Sequence, residues 1–264
     1  MIKRLIYSLL FIVVAVYTSC KKETTVDIGS RAVIVAYLVA GQPVSMKVYQ
    51  QKAFDDTASY GALITGLKPE ISDGTERIEL QETATGTYTY ANAAYLQTGK
   101  TYTLQFAYNN EQVSATTTMP VKSSGYTASK TTLIIPRAVT GPGSEDSVAI
   151  VFRWNNPDSL YHILTFKNDE ISPFTVVGAR NNAPVNFSIN AKQTAAYEMY
   201  YRTFNYIGTY RAILFTVNKE YADILESNAN TSSQQLTNPP GNITNGYGIF
   251  TAMQADTIKL ELSQ

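Results

Sequence analysis

Apolar residues in this chain recur at every second position over short runs, and turn-forming residues break those runs at close intervals. Val44, Met46 and Val48 alternate with Ser45, Lys47 and Tyr49, the period of a strand with one buried face. The run RAVIVAYLV stands before it, joined through Gly41, Gln42 and Pro43. Further strand candidates are 62–67, 77–82, 86–90, 101–108 and 112–118, with turn signals at Asp73-Gly74, Gly99-Lys100 and Asn109-Asn110. Short strands at this spacing predict a sandwich of immunoglobulin type over residues 31–120.

Met119-Pro120 ends that domain, and the Ser- and Gly-containing stretch 121–130 has little to bury, so it is expected to be a linker. A second β-rich domain is predicted over 131–264. Its strands fall at 147–154, 174–178, 185–189, 199–206, 210–217 and 257–262, with 161–167 as the hairpin partner of the first across Asn155, Asn156, Pro157 and Asp158. One helix is expected at 218–227, with Asn218 as N-cap and Tyr221, Ile224 and Leu225 on one face. The chain's 19 tyrosines suit half-buried strands. The fold class is therefore all-β: two immunoglobulin-like β-sandwich domains with one short helix in the C-terminal region.

The first residues have a different character. Lys3 and Arg4 precede an apolar run from Leu5 to Val16, then come Tyr17, Thr18, Ser19 and Cys20. A charged start, a short apolar middle and a small-residue exit predict a cleaved secretory signal over 1–19. Cys20 stands where a bacterial lipoprotein signal places its lipid-accepting thiol. It is also the single cysteine, so it has no partner for an internal disulfide. Lipidation of Cys20 is expected, with 20–30 as a tether, since acyl chains contribute about 0.8 kcal/mol per buried CH₂. Removing the signal leaves 19 basic against 21 acidic residues, which excludes a nucleic-acid partner of the basic-patch kind.

Chemistry-bearing residues are few. His162 is the single histidine and lies in a strand pattern, which predicts a packed residue rather than a zinc ligand or a base beside a cysteine. No G-x-S-x-G elbow and no phosphate-binding glycine pattern occurs. The adjacent carboxylates Asp55-Asp56 and Glu145-Asp146 lie in polar, loop-like stretches. No catalytic residue, metal site or cofactor is expected. Trp154 has two readings, a sandwich core residue or a ligand-stacking platform. The aromatic group Tyr197, Tyr200, Tyr201 and Tyr206, with Phe204 and Tyr210, is either inter-strand packing or a surface for sugar rings or peptide side chains. Asp-(Ser/Thr)-apolar triplets occur at Thr57, Ser147, Ser159 and Thr257, covering four of nine aspartates. They are either turn chemistry or acceptors of an O-linked glycan, a pattern similar to the general O-glycosylation motif of Bacteroidota.

The early RAVIVAYLVAGQPVSMKVYQ, the GTYTYANAAYLQTGKTYTLQF stretch, the FRWNNPD turn and the closing NPPGNITNGYGIF together resemble one family. It is the Bacteroidota outer-membrane lipoprotein family called domain of unknown function 4249. The most specific piece is Asn-Ile-x-Asn-Gly-x-Gly-x-Phe, from Asn242 to Phe250. The resemblance implies a surface lipoprotein of the outer membrane, associated with a TonB-dependent transporter and without family catalytic residues. Lys22-Glu23 after Cys20 supplies part of a surface-export signal; a solvated linker is the other reading. The expected role is accessory binding or scaffolding for such a transporter. Two further readings stay open: a free-standing glycan- or peptide-binding lipoprotein, and a fimbrial subunit cut at Arg31 that polymerises by strand exchange.

Overall fold

Alternation becomes burial directly in the first hairpin. In β1 (Ala32–Val39), Ala32, Ile34, Ala36 and Leu38 point inward; in β2 (Val44–Gln50), Val44, Met46 and Val48 do. The computed structural model describes residues 31–52, 60–136, 147–177, 182–229 and 241–264. The expected signal, the whole tether with Cys20, and Thr57 lie outside the described residues. Residues 31–264 form one compact unit.

The chain continues through β3 (Glu70–Ser72), β4 (Arg77–Glu79), β5 (Gln81–Ala84), β6 (Thr87–Tyr90), β7 (Thr101–Tyr108) and β8 (Glu111–Thr118). Then follow β9 (Thr127–Ala128), β10 (Thr132–Ile134), β11 (Val148–Arg153), β12 (Tyr161–Asn168), β13 (Phe187–Lys192), β14 (Ala196–Tyr200) and β15 (Gly208–Val217). Helix α1 (Lys219–Ala229), β16 (Ile243–Thr244) and β17 (Gly246–Ser263) complete it. One large sheet runs β13-β12-β15-β17-β1-β2-β6-β5, with β10 also on β17. A five-stranded sheet, β16-β8-β7-β3-β4, contributes Ile71, Tyr102, Leu104 and Val113 to a core with Ile34, Met46 and Tyr88. A three-stranded sheet, β14-β11-β9, packs Ile150, Phe152 and Met199 against Leu164, Phe166, Tyr210 and Leu214. The result is an all-β fold of sandwich type with two cores.

β17 belongs to both cores. Residues Gly246 to Met253 pair in parallel with β1, and Met253 to Leu262 pair antiparallel with β15. Phe250 and Ala252 enter the first core; Leu260 and Leu262 enter the second. At about 3.3 Å per residue this strand is on the order of 60 Å long. Met253, at the changeover, opposes both Val39 and Val217. Ile163, Val217 and Met253 form a third apolar cluster, against which Val39, Tyr221 and Leu225 of α1 pack. The helix thus closes the seam between the two halves on the face opposite the cores.

Several expectations change. The last strand begins at Gly246 rather than 257, because the glycines that read as a loop give close approach to β1. Gly248 has φ +97°, and a Cβ there would collide with the Ile34 carbonyl. β11 and β12 are not a hairpin: they lie in different sheets, and β12 pairs with β13 and β15. Stretches 62–67 and 174–178 supply isolated bridges at Leu63 and Thr175, not strands. Strand 77–82 is broken at Leu80, whose N–H donates to the Pro69 carbonyl (2.8 Å). The segment 121–130 is packed rather than a free linker. Ser123 is buried there, Tyr126 lies against the second core and Thr127–Ala128 pairs with β11.

Candidate functional site

Among the described residues, buried polar groups gather at two places at the seam, and Gln254, opposite Thr216, donates separately to Thr98 Oγ1 (2.8 Å). On the core side, His162 of β12 is wholly buried and its Nε2 lies 2.6 Å from Ser123 Oγ, which is 3.1 Å from Thr216 Oγ1 on β15. The Trp154 ring tilts against the imidazole at a centroid distance of 5.3 Å. Burial pushes the imidazole down from 6.5 to about 4, with the Leu160 carbonyl working weakly the other way. The ring is therefore neutral at pH 7 and positions the segment from Pro120 to Tyr126 over the second core. Ser123 and Thr216 escaped the sequence reading because they are 93 residues apart and neither stands in a motif.

On the helix side, Asn218 was expected to cap α1, and its carbonyl does accept from Tyr221 N–H at 3.2 Å. Its side chain instead donates to Thr117 Oγ1 (2.9 Å), the Thr118 carbonyl (2.8 Å) and the Ala252 carbonyl (3.3 Å). Glu220 Oε1 accepts from Thr117 (3.2 Å) and Thr251 (3.3 Å), while Thr117 Oγ1 accepts from Ala252 N–H (3.0 Å). These bonds join α1 to β8 and β17.

The Asn242–Phe250 motif has a structural role at its Asn, Gly and Phe positions. Asn242 accepts from Phe250 N–H (3.1 Å) and donates to the carbonyls of Phe250 (2.6 Å) and Thr116 (3.1 Å). Asn245 takes the left-handed conformation at φ 57° and donates to the Gln112 carbonyl at 3.0 Å. Gly246 and Gly248 admit β1, and Phe250 is fully buried. The motif therefore fastens β17 between β1 and β8.

Trp154 is 3% exposed, so it is a core residue and offers no stacking face. Members of the group Tyr197–Tyr210, half-buried at 197, 200, 201 and 206, make contacts within the protein. Tyr197 and Tyr201 lie against the second core, and Lys130 Nζ sits 6.0 Å over the Tyr201 ring. Arg202 covers Tyr200 at 5.6 Å, and Tyr206 OH donates to the Ala183 carbonyl at 2.9 Å. Of the triplet hydroxyl residues, Ser147, Ser159 and Thr257 are exposed. No group of three His, Cys, Asp or Glu able to hold a metal occurs among the described residues. The described grooves are shallow. One of about 210 Å³ is lined by Glu70, Ser72, Arg77, Thr103 and Gln105, and one of about 320 Å³ lies along Thr127–Ser129, Val151 and Arg153.

Solved structures similar to this chain share little sequence with it. The FN1–FN3 domains of chicken CNTN1 are 9% identical, with a TM-score of 0.26, over 89% of this chain and 66% of that one. Trypsin-activated alpha-2-macroglobulin from Escherichia coli is 11% identical, with a TM-score of 0.23, over 72% of this chain and 15% of that one. The Escherichia coli adhesin FdeC is 12% identical, with a TM-score of 0.21, over 89% and 65%. This chain thus spans under two thirds of each, and at such scores none of them carries an argument about it. No curated protein matches. A family model does match, over residues 22–259, which takes in both cores and the Asn242–Phe250 motif. By that match the chain belongs to the family described as a domain of unknown function, DUF4249.

Proposed function

We propose that this chain is a lipid-anchored outer-membrane protein, held through Cys20, that serves as an accessory binding or scaffold component of a TonB-dependent nutrient transporter. The observation that carries this reading is a group of exposed apolar residues at the end of β17 remote from the tether. Arg31 enters at the Gly246 end of β17, since Ala32 opposes Gly246. At the other end Ile134 opposes Ser263, Val177 N–H donates to Gln264 Oε1 (2.9 Å), and Ile171 and Phe174 follow the same loop. Phe174 is 77% exposed and Ile171 fully so. Exposed apolar groups of this kind suit a protein partner, and their distance from the tether suits a partner beside the anchor in the same membrane.

The test is a mild-detergent pull-down of the tagged, lipidated protein from its native membrane, with a photo-crosslinker at Phe174. The expected result is a stoichiometric β-barrel transporter crosslinked at that position. Recovery of the protein alone overturns the transporter reading, and a ladder of the protein itself replaces it with a fimbrial one.

A further inference from the structure

On the outward face of the large sheet one rung crosses four segments at the tether end. Val33 opposes Tyr247 on one side and Tyr49 on the other, and Tyr49 opposes Leu63. Because Ala32, Ile34 and Val48 fill the core, the alternation turns Val33 and Tyr49 away from it. Tyr60 stacks on Tyr49 at 4.7 Å and 19°, and is 56% exposed; Leu63 is 39% exposed. Leu63 is held outward where the chain passes Gly86, whose missing side chain leaves room for it.

Arg31 and Lys47 flank the rung, and the Glu82 carboxylate beside Gly86 is engaged by the N–H groups of Gly66 and Gly86 (2.9 Å each). The Arg31 guanidinium lies 5.6 Å over the Tyr247 ring, and exposed Lys47 stands one rung higher, opposite Val35. β1, β2, β6 and residues 60–64 contain no Asp or Glu. Tyrosine combines an apolar ring with a hydroxyl that prefers water, which suits a lipid–water boundary, and lysine and arginine suit anionic head groups. The rung begins two residues after Arg31. Residues 20–30 span at most about 40 Å fully extended, so an anchor at Cys20 keeps this face within reach of the bilayer.

We infer that the outward rung Tyr247–Val33–Tyr49–Leu63, with Tyr60, Arg31 and Lys47, is a docking face for an anionic lipid surface. This rests on the lipid-anchor reading and adds a second point of contact to it. With this face on the bilayer, β17 carries its remote end sideways over a neighbour rather than leaving it free to swing.

The test uses the native chain and Leu63→Trp, each lipidated and reconstituted in vesicles of phosphatidylcholine with a minor fraction of phosphatidylglycerol, with or without brominated acyl chains. Flotation reports the anchor, and emission reports the face. Trp154, buried in the second core, supplies an unquenched background. The expected result is that the emission added by Leu63→Trp is lost in brominated vesicles and restored in part at high salt, while the native chain is unchanged. Tyr60→Trp is a second probe at the same place and should behave alike. Vesicles that float with the added emission intact overturn the docking face and leave the anchor standing. Failure to float overturns both. Added emission that ignores bromine but shifts with soluble dextran assigns the rung to a saccharide and overturns the lipid reading.

Discussion

Ser123 Oγ and His162 Nε2 are 2.6 Å apart in the interior, and through this contact the segment after the first core is fastened to the second. The pair makes stability depend on pH. The folded imidazole takes a proton near pH 4, whereas an unfolded histidine takes one near 6.5. Between those values the unfolded state binds more protons, so stability is full above 6.5 and falls as the pH drops toward 4, by about 3 kcal/mol at most. Denaturant titrations at stepped pH should show this slope, and His162→Gln should flatten it. Trp154 emission in the folded protein should stay level down that range and fall only near pH 4, where the folded imidazole takes its proton and a charged ring beside the indole quenches it; an unchanged slope in the variant removes the assignment.

Asn218→Ala should destabilise the fold by about 1–3 kcal/mol, because it strips partners from the Thr118 and Ala252 carbonyls at the seam. The loss should appear as a lower denaturant midpoint with an unchanged slope. A capping role would instead predict that Asn218→Asp rescues the loss, and it should not.

Gly248→Ala should cost more than about 2 kcal/mol, because the position combines φ +97° with the Ile34 carbonyl at its face. Gly41, with φ +76° and open space where a Cβ would stand, is the control: Gly41→Ala meets backbone strain alone and should cost less. Thermal melts of the two variants decide it.

Ser147, Ser159 and Thr257 hold exposed positions after Asp146, Asp158 and Asp256. If the triplets are glycan acceptors, intact-mass spectrometry of native protein should show added hexose-containing mass that disappears stepwise in Ser147→Ala, Ser159→Ala and Thr257→Ala. A mass with no added hexose sinks the idea. Turn chemistry is already visible at Ser159, which takes φ 50°.

Tyr197, Tyr200, Tyr201 and Tyr206 are held by packing and by Lys130, Arg202 and the Ala183 carbonyl. Soluble polysaccharide should therefore leave Trp154 emission and the melting temperature unchanged; a shift in either would return this surface to the list of ligand sites.

What could be read in the sequence was local. The period-two runs at Val44–Val48 and the β7–β8 pair around Asn109-Asn110 appear as expected, because a hairpin's signals lie within a few residues of one another. Pairings between distant segments left no such trace. Nothing near Val33 announces Tyr247, and nothing near Ser123 announces His162. Glycines misled most: at 246 and 248 they read as loop, yet their lack of side chains is what lets two backbones pair closely. Trp154 and the tyrosines near 200 could be assigned to core or surface only once the second sheet was in place.

The shared strand also sets when the molecule can fold. Each half of the large sheet lacks its central member until β17 arrives, and β1 waits for a parallel partner more than two hundred residues downstream. Such long-range pairing is slow to form. A chain emerging from a ribosome, or threading through a membrane pore with its N-terminus leading, holds neither sandwich complete until its last segment is free. Late completion of both halves is thus written into the topology, and a nick or stop codon ahead of Gly246 should forfeit both together rather than one.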